Sequence, residues 1–121
     1  MLNLQDYYEK KGWSAGPHLF VDDDEIWTFS PLTARGVHAP SFNATGIGIE
    51  MLGDYDLEDP WSGRGLAVLT TTCQAVKLLM AKFKLPATAI RFHRDDPKTD
   101  RTDPGIKITK NRFLKLLRSF P

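Results

Sequence analysis

Only one cysteine and three histidines occur in 121 residues, and both scarcities constrain the chemistry. Cys73 has no partner in its own chain, so no internal disulfide holds the fold and no oxidising compartment is required. With histidines at 18, 38 and 93 alone, a site built on imidazole can be assembled in few ways. Neither sign of charge dominates. Sixteen Lys and Arg stand against fifteen Asp and Glu, and a formal net charge of +1 gives no bulk attraction to nucleic acid or to an anionic membrane. No apolar run approaches the length that spans a bilayer. The first residues, Met1-Leu-Asn-Leu-Gln-Asp-Tyr-Tyr-Glu, lack the basic and apolar regions of a signal peptide. Repeats, low-complexity segments and linkers are missing too. These absences leave the expectation of a single soluble domain over 1–121, made in a cytoplasm. Action elsewhere would depend on a separate export or lysis system. Nothing in the residues selects an oligomeric state.

What is present suffices for one core, with 41% hydrophobic residues. Positions 3–11 follow helical spacing, with Leu4, Tyr7 and Tyr8 on one side, and Gly12 ends that helix. Pro17–Val21 is predicted as a strand, Asp22–Asp24 as a hairpin turn and Glu25–Phe29 as the return strand. A loop from Pro31 to Asn43 carries His38 and Asn43. Thr45–Met51 is predicted as a central strand, apolar on both faces. Alternation puts Gly46, Gly48 and Glu50 on one face and Ile47, Ile49 and Met51 on the other. A carboxylate on a glycine-lined, buried face is costly unless it has a partner or a role. The spacing predicts a helix over 66–84, with Leu66, Leu69, Cys73, Val76, Met80 and Phe83 on one stripe and Pro86 beyond its end. A short strand is predicted over 88–93, delivering His93 to its end. Thr109 is placed to cap a last helix with Phe113, Leu114 and Leu117 facing inward. The expected class is α/β, a central mixed β-sheet flanked by helices.

The stretch Arg91 to Gly105 carries the most chemistry. It delivers His93 to a predicted strand end, follows with four aspartates, and closes on Asp103-Pro104-Gly105. An imidazole at a strand end and a carboxylate on a stiffened turn can converge on one cation. Zinc accepts both donor types, and a catalytic zinc uses three protein donors plus an open position. On its own, a His near an Asp reads as a solvated loop. Glu50 and a second His upstream, in similar strand-end settings, strengthen the cation reading.

The pattern Gly12-Trp13, His18-Leu-Phe-Val, Val37-His-Ala, Phe42-Asn43, Gly46-Ile-Gly-Ile-Glu-Met-Leu-Gly, Phe92-His93 and Thr102-Asp-Pro-Gly resembles the zinc-dependent N-acetylmuramoyl-L-alanine amidases, which share a fold with the peptidoglycan recognition proteins. The similarity runs from about Asn3 to about Leu117. It implies that His93 and Asp103 are zinc ligands, that Glu50 is a catalytic base and that Arg101 stands where many relatives carry a catalytic Lys. Pro17 stands where another subgroup has a catalytic Tyr. His38 and Asn43 are implied to line the groove mouth and touch substrate. The family's first zinc ligand lies on a strand before the first helix. The match here begins inside that helix, so His38 is the expected donor if a third ligand is recruited. His18 is expected to point away from the groove. The implied activity is hydrolysis of the amide between N-acetylmuramic acid and L-alanine of the stem peptide, with Zn2+ as cofactor and peptidoglycan or a muropeptide as partner. The alternative implied by a lost ligand is a module that binds muropeptides without cutting them.

Overall fold

The computed structural model describes residues 17–33, 36, 41–43 and 45–121. The predicted helix over 3–11 and the candidate ligand His38 lie outside the described residues. Among the described residues three strands form one mixed sheet in the order β2-β1-β3. They are β1 (Leu19–Val21), β2 (Ile26–Thr28) and β3 (Ile49–Met51). β1 and β2 pair antiparallel, joined by the predicted turn. Asp22 makes that turn: its Oδ1 accepts the backbone N–H groups of Asp24 at 3.1 Å and Glu25 at 2.8 Å. A short polar side chain thus satisfies donors that the reversal would otherwise leave bare.

β3 pairs with β1 in parallel, Phe20 opposite Glu50 and Val21 opposite Met51. The sequence predicts Thr45–Met51 as a central strand. Among the described residues it is instead an outer strand, and β1, fully buried, is the middle one. Its first half does not join the ladder, because a side chain takes the backbone donor there. Gly48 N donates to His18 Nδ1 at 2.9 Å, while Gly48 O accepts from the backbone of His18 and Leu19.

The long helix α1 (Gly63–Phe83) covers one face of the sheet. Val68, Leu69 and Cys73 are fully buried, with Val76 and Met80 packed against the same core. The predicted stripe frays at its end, since Phe83 is 42% exposed. Lys84 takes the left-handed conformation, φ 54°, and its N–H and that of Leu85 both reach Met80 O. Pro86 then rules out another turn. By length and composition this helix is apolar enough to cross a membrane, which corrects the expectation that no run approaches that length. Its buried stripe gives a sufficient reason for the apolar content, because the core it builds is that of the domain itself. Thr71 Oγ1 also bonds Asp23 O at 3.0 Å and ties α1 to the hairpin turn.

The last helix, α2 (Lys110–Arg118), begins as expected, with Thr109 Oγ1 accepting the N–H of Arg112 at 3.3 Å. Phe113 and Leu117 are buried, and Phe113 meets Phe92 edge-on at 5.6 Å. The strand predicted over 88–93 is absent. Ala87–Ala89 and His93–Asp95 are single 3-10 turns. Their donors are spent locally: Ala89 N on Pro86 O, Ile90 N on Ala87 O and Phe92 N on the Asp95 carboxylate. Apolar alternation looks like a strand, yet no ladder forms when nearby acceptors take the N–H groups first.

Candidate functional site

β3 carries Glu50 on the sheet face opposite to the one that Met51 presents to the core under α1. Glu50 is exposed by accessible area, not buried as the strand pattern predicts, yet protein crowds its carboxyl group. That crowding raises its pKa above the ordinary 4.5, and the negative charge of Asp103 raises it further. The charges of His93 and Arg101 oppose the shift without cancelling it. Three of the predicted site residues therefore act electrostatically on Glu50, although it lies more than forty positions from them.

His93 opens its 3-10 turn and points its ring at Asp103, with Nδ1 and Oδ2 3.1 Å apart. Arg94 fixes the backbone between them. Its N–H bonds Asp103 O at 3.0 Å, and its guanidinium donates to Gly105 O at 2.8 Å and Ile108 O at 2.5 Å while lying over the Phe92 ring. Asp103 precedes a cis proline and Gly105, whose φ of 126° is a conformation that side chains disfavour. A Cβ on Gly105 would stand 2.5 Å from the Tyr55 carbonyl carbon, so only glycine lets this turn close on the loop after β3.

A second carboxylate secures the loop before β3. Asp96, fully buried, accepts from Ser41 N at 2.9 Å, Ser41 Oγ at 2.6 Å and Lys98 N at 2.9 Å. Burial alone would raise its pKa, but these hydrogen bonds outweigh burial and hold it below the usual carboxylate range. Asn43 is half-buried two residues beyond this anchor. Ser41, three residues after His38 in the sequence, is thus bonded to the turn that His93 begins. Arg101, exposed, lies on the loop between His93 and Asp103, its N–H bonded to Thr99 Oγ1 at 3.2 Å. His18 is 1% exposed, and its Nδ1 is engaged by Gly48, so that atom is closed to a metal. Sequence reasoning missed Asp96 and Arg94, and the only signal was their place beside His93.

Two donors on one zinc, each at about 2.0–2.2 Å, stand about 3.4 Å apart in a tetrahedral arrangement. The 3.1 Å between His93 Nδ1 and Asp103 Oδ2 fits such a pair. His93 and Asp103 could thus supply two of the three protein donors that such an ion takes. The carboxylates of Asp22, Asp23 and Asp24 also cluster, but two of the three lie exposed on the hairpin turn that Asp22 builds, and no chemistry is read from them.

No match is found among curated proteins. The solved structure of the endolysin N-acetylmuramoyl-L-alanine amidase LysCS from Clostridium intestinale is similar, with a TM-score of 0.75 and 26% identity over 95% of this chain and 72% of that one. The pattern of the N-acetylmuramoyl-L-alanine amidases matches residues 2–106, a span that holds Glu50, His93, Arg101 and Asp103. The chain belongs to the N-acetylmuramoyl-L-alanine amidase family.

Proposed function

We propose that this protein hydrolyses the amide joining the lactyl group of N-acetylmuramic acid to L-alanine of the peptidoglycan stem. The observation that carries this reading is the 3.1 Å approach of His93 Nδ1 to Asp103 Oδ2, within electrostatic reach of Glu50. His93 and Asp103 would hold the ion with a third donor, for which His38 is the candidate. When bound, zinc supplies a Lewis acid that polarises the scissile carbonyl and lowers the pKa of a water.

Glu50 accepts a proton from the attacking water at its carboxylate. Its raised pKa lets it return that proton to the leaving nitrogen. The water oxygen joins the lactyl carbon, the C–N bond breaks, and a carboxylate and a free amine result. Arg101 donates a charge-assisted hydrogen bond to the oxygen on which negative charge develops. Asn43 touches the muropeptide at the groove mouth.

Purified protein incubated with muropeptides and zinc should release L-alanine-linked peptides, and zinc should be found at one ion per chain. Muropeptide binding with neither zinc nor released peptide would establish instead a binding module. The presence of only two donors among the described residues is what favours that second reading.

A further inference from the structure

The turn bearing Asp103 is gripped from the far side by the loop that follows β3. Asp56 accepts from Thr102 Oγ1 and from Ile106 N, both at 2.7 Å, with its two oxygens divided between them. Those partners flank Asp103-Pro104-Gly105 on either side. Around them, Lys107 N donates to Tyr55 O at 3.1 Å, Lys107 Nζ to Leu57 O at 2.6 Å and Trp61 Nε1 to Lys107 O at 2.9 Å. Asp56 follows Glu50 by six positions on the same stretch of chain. One carboxylate therefore links the segment bearing the base to the turn bearing the metal-ligand candidate.

We infer that Asp56 is a positioning residue, which fixes the Asp103 carboxylate against His93 and sets its separation from Glu50. This rests on the reading of His93 and Asp103 as zinc ligands. Partners that orient a ligand typically change metal affinity about 10- to 100-fold when removed. Asparagine can keep both contacts, because its oxygen accepts from Ile106 N and its amide donates to the Thr102 hydroxyl.

The test measures zinc affinity by chelator competition on the full chain. Asp56→Ala should weaken zinc about 10- to 100-fold, and Asp56→Asn should return most of the loss. Thr102→Val should weaken it less, and adding that change to Asp56→Ala should cost little more. Wild-type affinity in Asp56→Ala, or an equal loss in Asp56→Asn, would overturn the inference. So would an equal loss in Leu117→Ala, a variant of a buried apolar side chain, since the effect would then be one of general stability. A metal-free arm separates this proposal from the one it rests on. In apo protein the amide resonances of Asp103, Gly105 and Ile106 should move in Asp56→Ala and return in Asp56→Asn. If wild type holds no zinc, the zinc reading fails and these resonances decide the clamp, with unchanged resonances ruling it out.

Discussion

Glu50 is the residue on which reaction and stability pull in opposite directions. Crowding by protein and the charge of Asp103 make its ionised form unfavourable, so the folded state binds its proton more tightly than the unfolded chain does. The linked stability is complete below about 4.5 and is lost as pH rises through the folded value. Glu50→Gln removes that loss. Its melting temperature should equal or exceed wild type at pH 7, with the gap closing in acid. Hydrolysis should fall about 10²- to 10⁴-fold, because an amide cannot take the proton. In wild type the acid limb of kcat/KM should have its midpoint above 4.5, since only the ionised carboxylate acts as base. Arg101→Ala should lower kcat about 10²-fold while sparing zinc, whereas Arg101→Lys, which keeps the charge, should retain more activity. Steady-state kinetics beside metal analysis reads both.

At the scale of elements, the turn 102–106 and helix α1 bear different kinds of stress. Gly105→Ala adds a Cβ against Tyr55 backbone at a left-handed position, so it should lower the melting temperature and push Asp103 away from His93. Loss of zinc affinity out of proportion to the loss of stability is the expected signature. Leu69→Ala opens a cavity in a side chain 1% exposed and should cost about 2–5 kcal/mol in urea unfolding, with zinc affinity per folded molecule unchanged. These elements were not equally legible in the sequence. The hairpin of β1 and β2 and the helices α1 and α2 could be read because their signals are local: Asp22 on the turn, the stripe of Leu69 and Cys73, the cap of Thr109. The stretch 88–93 misled because Asp95 takes the N–H of Phe92, a choice that alternation cannot foresee. β3 was placed at the centre because its apolar pattern does not show which partners flank it. His93, Asp103 and Glu50 could be named from motif, but Asp56 and Asp96 could not. Their hydrogen bonds span 46 to 55 positions of sequence, and no local pattern marks a contact that only the fold creates.

For the molecule as a whole, a metal that binds only the folded chain must raise its stability. Zinc at a hundred times its Kd should add about 2.7 kcal/mol, seen as a higher melting temperature, and His93→Ala should abolish the increment. The same fold also contains an optical probe of that event. Trp61 bonds Lys107 O through its indole N–H and lies 3.9 Å beneath the Arg112 guanidinium, so it spans the β3 loop, the Asp103 turn and α2 at once. A cation stacked on an indole and a hydrogen bond on its nitrogen both tune the energy of its excited state. Emission from Trp61 therefore reports whether the three segments are seated. Fluorescence of the unlabelled protein can follow the ordering of the site in real time, with Trp61→Phe as the blank.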